Sequence, residues 1–252
     1  MAGKPKLYKD HPLKDFTSYK IGGPAERLYI PQTKYELAKI VEDVRKGKKS
    51  LNIIGGGTNV LISDNGLEGS VILTTECCKF IEKSGDVIIC GSSVLLSDLI
   101  SFTIDNGLGG LENLAGIPGT VGGALMMNAG AYGSEISNYL SKVTLINEYG
   151  KITELAKEEI RFAYRTAPGL IGKTVISGYF RFDPADKGEN EKKVNEIIAV
   201  RKSKQPWDQP SAGSVFKRHP LGAAGYLIEG AGLKGFRIGD AQISEKHANF
   251  IV

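Results

Sequence analysis

The sequence predicts an α+β protein that combines mixed sheets with helices in three modules. Apolar residues recur at helical spacing in some segments and form short strand-like runs in others. The 32 glycines cluster, and nine of them lie between Gly107 and Gly133 among Leu, Ile, Met, Asn and Ala residues. Such a stretch indicates ordered backbone close to another group. We place the modules at residues 1–73, 74–185 and 186–252, since a chain of 252 residues can build several compact cores.

One helix and two strands are predicted in the first module. Thr33 and Glu36 form a capping box, and apolar residues follow at helical spacing from Leu37 onward. Residues 50–54 form a short buried strand that leads directly into the sequence GGGTNVLI. Residues 71–73 form the second strand.

The second module is predicted to hold one helix and four strands. The helix begins near Leu96 and ends at the stop signal Asn106-Gly107. The strands are residues 87–90, 143–146, 151–155 and 174–182, and the middle two form a hairpin.

The third module begins after a polar break that runs from Asp183 to Glu191 and that we interpret as a boundary. A third helix follows and ends before Pro206. The residues on one face of this helix are Val194, Ile197, Ile198 and Arg201. The remainder of the module is rich in loops.

Composition and charge exclude several classes of protein. The formal net charge is +4, and the basic run at residues 45–49 is typical of a solvated turn, so no nucleic-acid partner is predicted. No apolar run approaches the roughly 20 residues of a membrane span, and the polar N-terminus is not a secretory signal. Cys77, Cys78 and Cys90 lack a metal-ligand spacing, and the histidines are scattered. We expect a cytoplasmic protein that binds an anionic small molecule, with no metal and no inferable protein partner.

The first motif with chemical meaning is the glycine run after the strand at residues 50–54. Three consecutive glycines free backbone N–H groups to bind an anion such as a pyrophosphate. The pattern is neither a Walker A loop nor a G-x-G-x-x-G that opens a long helix. A tight glycine turn without a ligand is the alternative. The candidate residues are Gly55, Gly56, Gly57, Thr58 and Asn59.

The second motif is AGIPGTVGGA, which is followed by NAGAYG. Its first two glycines bracket a turn stiffened by proline, and the later pair permits another close approach of backbone. The small residues leave room for a flat ring system, and a crowded glycine-packed core is the alternative. Two such motifs suggest the two ends of one long diphosphate cofactor. The candidate residues are Gly116, Ile117, Pro118, Gly119, Gly122, Gly123, Asn128, Ala129 and Gly130.

The pairing of GGGTNVLISDNGLEG with LENLAGIPGTVGGALMMNAGAYG resembles the FAD-binding fold shared by relatives of vanillyl-alcohol oxidase. The resemblance implies two FAD-binding subdomains, residues 1–73 and 74–185, and a smaller α+β substrate domain at residues 186–252. An oxidase of the same fold is one interpretation. Many such oxidases tether the flavin through His or Cys, and neither motif contains either residue. We therefore expect FAD to be bound without a covalent bond.

Four further segments resemble the UDP-N-acetylenolpyruvoylglucosamine reductases in their shorter, type II form. They are Tyr164-Arg165, RKSKQP at residues 201–206, PSAGSVFK at residues 210–217 and LKGFRIG at residues 233–239. The resemblance implies that NADPH gives a hydride to the flavin. The flavin then reduces the enolpyruvyl double bond of UDP-N-acetylglucosamine enolpyruvate to give the peptidoglycan precursor UDP-N-acetylmuramate. Tyr164, Lys204 and Lys217 are implied in binding the UDP-sugar.

Two residues are implied in the chemistry by the same resemblance. Arg165 would hold the negative charge of an enolate through paired hydrogen bonds; a surface ion pair is the alternative role. Ser214 would protonate the neighbouring carbon with the help of positive charge from Lys217; a plain turn former is the alternative. Glu229 could supply an acid, but its position on a helix face is more typical of a solvated charge.

The sequence departs from the family pattern in two places. Phe216-Lys217-Arg218-His219-Pro220 replaces the commoner Phe-Lys-Asn-Pro, which leaves one substrate contact undefined. Members of the family also continue beyond a stretch like His247–Val252 with a helix and a strand that carry a catalytic glutamate. We therefore expect an incomplete C-terminus in which the apolar run at residues 249–252 is uncovered. The alternative function is an FAD-binding protein with little or no turnover.

Overall fold

The computed structural model describes residues 5–252, which form six α-helices, four short 3-10 helices and fifteen strands. The helices are α1 (Lys34–Lys46), α2 (Leu96–Asp105), α3 (Val121–Met126), α4 (Lys157–Ile160), α5 (Lys187–Lys204) and α6 (Ala224–Gly230). The longer strands are β1 (Lys6–Pro12), β2 (Pro24–Ile30), β3 (Leu51–Ile54), β4 (Leu67–Leu73), β5 (Ile81–Ser84), β6 (Val87–Gly91), β10 (Leu140–Ile146), β11 (Ile152–Ala156) and β12 (Thr174–Arg181). The two-residue strands are β7 (Leu108–Gly109), β8 (Gly130–Ala131), β9 (Ser134–Glu135), β13 (Asp183–Pro184), β14 (Arg237–Ile238) and β15 (Ala241–Gln242). Across this described range, the helices are too short or too polar for any of them to span a membrane.

Four strands form the first sheet in the order β1-β2-β4-β3. Strands β2 and β3 run parallel to the central β4, whereas β1 is an antiparallel edge strand. The predicted strands at residues 50–54 and 71–73 are confirmed as β3 and β4, and β4 extends back to Leu67. Strands β1 and β2 lie outside the elements that the sequence pattern predicts.

Helix α1 links the two large sheets through its buried face. Thr33 accepts a hydrogen bond from the N–H of Glu36 at 3.2 Å, and the Glu36 carboxylate accepts one from the N–H of Gln32 at 2.8 Å. The predicted helix start is therefore confirmed, although the reciprocal bond lies one residue earlier than in a standard capping box. Buried apolar residues of the helix pack against Ile72 of β4 and Ile176 of β12.

Five antiparallel strands form the second sheet in the order β11-β10-β12-β6-β5. The predicted hairpin is confirmed by the pairing of β10 with β11. Helices α2 and α3 cover this sheet and build the largest apolar core with it, in which Phe180, Leu99 and Leu125 are completely buried. This core places the second glycine motif on a rigid support, because α3 is part of that motif.

Most of the predicted polar break from Asp183 to Glu191 belongs to regular secondary structure, and its interpretation as a module boundary stays a prediction. Strand β13 pairs with β7, and α5 already begins at Lys187. The Asp186 carboxylate caps the helix by accepting a hydrogen bond from the N–H of Glu189 at 2.9 Å. A favourable cap therefore overrides the polar composition of the first helical turn. The predicted face of this helix is confirmed, since Val194, Ile197 and Ile198 are half-buried beside exposed neighbours.

The expectation that residues 249–252 are uncovered is also wrong. The main chain of Val252 exchanges two hydrogen bonds with Gln242, and the N–H of Ser244 donates to the carbonyl of Phe250. On the other side, the N–H of Val215 donates to the carbonyl of Asn249 at 2.9 Å. The Phe250 side chain is only 8% exposed and packs against the His247 ring. Two neighbouring segments therefore satisfy the backbone of this run and bury its largest side chain.

Replacement of the cap of α5 tests where that helix begins. We expect Asp186→Ala to lower the free energy of unfolding by about 1 kcal/mol, because the first turn loses the acceptor for one of its unpaired N–H groups. Asp183→Ala, three residues earlier and equally exposed, is the matched control and should change the stability by less than about 0.5 kcal/mol. Urea denaturation followed by far-UV circular dichroism measures both. Equal stabilities of the two variants would contradict the cap.

Candidate active site

The first glycine motif forms a backbone turn with free donors directly after β3. Within residues 5–252, the N–H groups of Gly55, Gly56, Gly57, Thr58 and Asn59 take part in no hydrogen bond. Gly57 has a φ of +64°, and a side-chain carbon at this position would overlap the carbonyl oxygen of Phe16. The turn therefore requires glycine there and offers its donors to a ligand. An open cleft of about 280 Å³ runs beside it, between Gly55, Phe16 and Thr75.

The two glycine motifs touch each other. A side-chain carbon on Gly56 would lie 3.1 Å from the Cα of Gly119, and one on Gly55 would lie 2.5 Å from the Thr120 hydroxyl. The Thr58 hydroxyl donates to the carbonyl of Pro118 at 3.2 Å. The structure thus brings together two segments that lie about 60 residues apart in the sequence. One ligand can contact both motifs because glycine leaves no side chain between them.

The later glycines of the second motif have mainly a packing role. The N–H groups of Val121 and Gly122 donate to the carbonyls of Val94 and Ser92 at 2.8 and 2.9 Å. A side-chain carbon on Gly122 would lie 2.9 Å from the Cβ of Ser92. These donors are already used inside the protein, which favours the packed-core interpretation for this part of the motif. Gly123 is more open, with the Thr120 hydroxyl 3.6 Å from an added carbon.

Residues 128–130 hold the predicted catalytic arginine in place. Asn128 is completely buried in a left-handed conformation, and its amide donates to the Glu135 carboxylate at 2.6 Å and to the Ala163 carbonyl at 3.2 Å. The Gly130 carbonyl accepts a hydrogen bond from Nη2 of Arg165 at 2.6 Å. These bonds connect the end of the second motif to the segment that carries Tyr164 and Arg165. The structure brings these predicted residues together.

Arg165 itself lies in a strained backbone conformation with a φ of +57°. Its guanidinium contacts the Gly130 carbonyl and lies 5.1 Å from the centre of the Tyr164 ring. Among residues 5–252, no carboxylate pairs with this guanidinium, so the alternative of a surface ion pair is not what the geometry shows. A non-glycine residue in the left-handed region is uncommon and is often found at functional sites.

A second arginine lies near the same place and is not among the candidate site residues predicted from the sequence. Arg201 of α5 packs its Cδ 2.8 Å from the position of a side-chain carbon on Gly116, and its guanidinium lies 5.6 Å from the Tyr132 ring. Burial lowers the pKa of Arg201, the Tyr132 phenol opposes this, and the charge of Arg165 lowers that pKa further. The Nε of Arg201 is buried without a hydrogen-bond partner in the described part of the chain. The sequence signal that could have identified Arg201 is its position among the apolar residues on one face of α5.

Three of the residues predicted to act on the UDP-sugar lie in α5 or in the loop that follows it. Ser214 and Lys217 are exposed in the loop after α5, and Lys204 is exposed in its last turn. Among residues 5–252, no hydrogen bond joins these three side chains to Arg165. Tyr164 makes the connection instead, because its hydroxyl accepts a hydrogen bond of 3.4 Å from the N–H of Arg218.

The loop that departs from the family pattern borders an open cleft of about 370 Å³. The residues that line this cleft are Tyr164, Arg218, His219 and Pro220. His219 and Gly222 close a tight turn by exchanging two main-chain hydrogen bonds of 3.1 and 2.9 Å. Arg218, which occupies the sequence position of the asparagine in the commoner Phe-Lys-Asn-Pro, lies beside Tyr164.

Other candidate groups behave as ordinary surface or core residues. The Glu229 carboxylate is 57% exposed and pairs with Lys234 at 2.9 Å, as expected for a solvated charge on a helix. Cys77, Cys78 and Cys90 are buried free thiols. In the part of the chain that the structure describes, no group of three or more His, Cys, Asp or Glu side chains is arranged to hold a metal ion.

Two family models match the chain in the regions that carry these features. An FAD binding domain model matches residues 25–156, which include both glycine motifs. A model for the C-terminal domain of UDP-N-acetylenolpyruvoylglucosamine reductase matches residues 205–252, which include Ser214 and Lys217.

Two relatives that align with 98% of this chain have the same name. The UDP-N-acetylenolpyruvoylglucosamine reductase of Caldanaerobacter subterraneus subsp. tengcongensis is 42% identical over 249 residues, which cover 98% of this chain and 82% of that protein. The protein of the same name from Caldicellulosiruptor saccharolyticus is 43% identical over 250 residues, with 98% and 80% covered.

Solved structures agree with this assignment. The UDP-N-acetylenolpyruvylglucosamine reductase of Thermus caldophilus superposes with a TM-score of 0.85 at 35% identity, covering 98% of this chain and 87% of that one. A solvent-stable cholesterol oxidase superposes with a TM-score of 0.55 at 16% identity over 71% of this chain and 38% of the oxidase, which shows the shared fold alone. The predicted FAD-binding fold of the vanillyl-alcohol oxidase type is confirmed. The chain belongs to the UDP-N-acetylenolpyruvoylglucosamine reductase family.

Proposed function

We propose that this chain uses NADPH and non-covalently bound FAD to reduce UDP-N-acetylglucosamine enolpyruvate to UDP-N-acetylmuramate, a precursor of peptidoglycan. The observation that carries this proposal is the meeting of two glycine motifs near two arginines that have no carboxylate partner within the described part of the chain. Free backbone donors suit a diphosphate cofactor, and unpaired guanidinium groups suit an anionic substrate. The reductase family to which the chain belongs uses both a diphosphate cofactor and an anionic substrate in its reaction.

The first glycine motif fits FAD on the geometry of its own residues. Its donors are free, and the Gly57 position accepts no side chain. We assign the pyrophosphate to Gly55–Asn59 and the flavin ring end to Gly116–Gly119. Bound FAD supplies a hydride carrier between NADPH and the enolpyruvyl double bond. The protein orients the two partners and keeps water away from the reacting atoms.

The three modules provide a natural division of this work. Residues 1–73 contain the first sheet, residues 74–185 contain the second sheet, and residues 186–252 begin with the cap of α5. We propose that the first two modules hold FAD and that the third holds the UDP-sugar. The two matched family models, residues 25–156 and 205–252, support this division without fixing its boundaries.

Arg165 is the residue that we assign to stabilisation of the enolate. Hydride addition to the terminal carbon of the enol ether sends negative charge onto the neighbouring carboxylate. A guanidinium that already donates one hydrogen bond to Gly130 is held in place before the charge develops. Arg201 adds a second positive charge, and an anion between the two would relieve their mutual repulsion.

Ser214 is the residue that we assign to protonation of the adjacent carbon. A serine hydroxyl is a weak acid and needs positive charge nearby, which Lys217 supplies in this proposal. Tyr164 and Lys204 bind the UDP-sugar together with Lys217. The hydrogen bond between Arg218 and Tyr164 supports this role, because it connects the substrate loop to the arginine segment.

The alternatives receive less support than the reductase. Oxidases of the same fold match this chain at less than 20% identity, whereas the reductases reach 42% and 43%. The same relatives favour a working enzyme over an FAD-binding protein with little turnover. We also propose a cytoplasmic location, which the three free thiols fit because cytoplasmic cysteines are kept reduced.

A turnover assay tests the reaction itself. We expect oxidation of NADPH that depends on UDP-N-acetylglucosamine enolpyruvate, with formation of UDP-N-acetylmuramate. We also expect that heat denaturation releases yellow flavin into the supernatant, because no bond tethers it. NADPH oxidation at the same rate without the sugar nucleotide would contradict the proposal.

Gly56→Val tests the placement of FAD. The added side chain would press on Gly119 and enter the space beside the free donors. Overpacking of this kind costs about 1–3 kcal/mol, so FAD affinity should fall on the order of tenfold to a hundredfold. Flavin absorbance per purified chain measures the change. Gly230→Val is the matched control, since an added carbon there meets no atom within 4 Å. A folded Gly56→Val protein with full flavin content would show that the placement is wrong.

Arg165→Lys tests the assignment of the enolate. Lysine keeps the charge but loses the planar pair of donors. We expect reduction of the flavin by NADPH to be nearly unchanged, and its reoxidation by the enolpyruvyl sugar to slow on the order of 10²–10³-fold. Rapid-mixing absorbance measures the two half-reactions separately. Arg161→Lys, at an exposed arginine that also has a positive φ, is the control. Equal losses in both half-reactions would argue against a specific role.

A further inference from the structure

The loop between β1 and β2 contacts the first glycine motif and the third module at the same time. The N–H of Ser18 donates to the carbonyl of Gly57 at 3.0 Å. The Ser18 hydroxyl donates to the carbonyl of Ser211 at 2.6 Å, across 193 residues of sequence. Tyr19 is half-buried against the main chain of Ala212. One serine therefore joins the turn that we assign to the pyrophosphate with the loop that carries Ser214.

The other end of that loop is fixed by a different residue. The buried side chain of Asn249 accepts a hydrogen bond from the N–H of Phe216 and donates one to its carbonyl, both at 2.9 Å. Between the two attachments lie Gly213, with a φ of +78° and open space around it, and Ser214 itself. The loop at residues 211–216 is thus held at both ends, and the backbone of Ser214 also pairs with Phe250, while the Ser214 side chain stays exposed.

We infer that Ser18 and Asn249 are positioning residues for Ser214, and that Ser18 makes the placement of this proton donor depend on the FAD-binding turn. This inference rests on the role proposed above for Ser214. A proton donor must lie within hydrogen-bond reach of the carbon it protonates, and small displacements of catalytic groups are costly. Because Ser18 bonds to Gly57 and to Ser211, the order that FAD imposes on the first glycine motif extends to the donor loop.

The expected phenotype of Ser18→Ala is confined to one half-reaction. The variant should keep its FAD and its rate of reduction by NADPH. Reoxidation of the reduced flavin by the enolpyruvyl sugar should slow about five- to tenfold, as expected for the loss of one net hydrogen bond. The solvent deuterium isotope effect on reoxidation should rise, since protonation becomes more limiting. Ser18→Thr keeps the hydroxyl and should restore both values.

Two further variants keep the test decisive. Asn249→Asp preserves the shape of the side chain but removes the amide N–H that donates to the Phe216 carbonyl. This variant should also slow reoxidation of the flavin, so it serves as the test if Ser18→Ala fails to fold. Ser141→Ala is the matched control, because the Ser141 hydroxyl also donates to a distant carbonyl, that of Tyr179 at 3.0 Å, within the second sheet. Hydrogen exchange on the FAD-loaded proteins should show faster exchange at residues 212–215 in Ser18→Ala than in Ser141→Ala.

The outcomes separate this inference from the proposed function. If Ser214→Ala leaves reoxidation unchanged, Ser214 is not the proton donor, and the positioning role that depends on it is overturned as well. If Ser214→Ala slows reoxidation but folded Ser18→Ala and Asn249→Asp do not, the positioning role is overturned. Equal slowing of both half-reactions in Ser18→Ala, or loss of its FAD, would also overturn it. Selective slowing of reoxidation with a larger isotope effect supports it.

Discussion

The direct contact between the two glycine motifs is the constraint on which the rest of the site depends. Gly56 approaches Gly119 so closely that a single added carbon would lie 3.1 Å from its Cα. One motif follows a strand of the first sheet, and the other leads into α3 on the second sheet. The two sheets can therefore present their backbones to one cofactor only while both positions lack side chains. Each apolar core fixes one side of that contact.

Much of this arrangement could be predicted from the sequence, because it depends on local patterns. The cap at Thr33, the hairpin of β10 and β11, and both glycine motifs each leave a signal within a few residues. Strand β1 leaves none, since it is an exposed polar edge whose partner is β2. The covering of Phe250 was also beyond prediction, because it depends on residues 214–216 and 242–244, whose proximity is a property of the tertiary fold.

Arg201 shows a different limit of reasoning from sequence. Its place on the apolar face of α5 is visible in the helical spacing, but its charged neighbour Arg165 lies on a segment that is distant in the sequence. Burial and the nearby Arg165 both disfavour its charge, and no carboxylate compensates for them in the described residues. An anion bound between the two arginines would supply the negative charge that this site lacks.

The loop at residues 211–216 also determines how late the site can form during folding. Its attachment to Ser18 spans 193 residues of sequence, and its attachment to Asn249 spans 33. Contacts of such separation carry a large loop-closure entropy and form after local structure. During synthesis, both sheets can assemble before residues 242–252 leave the ribosome. The loop at residues 211–216 is fixed only after Asn249 has been added, so a nascent chain can form both glycine motifs before it forms this loop.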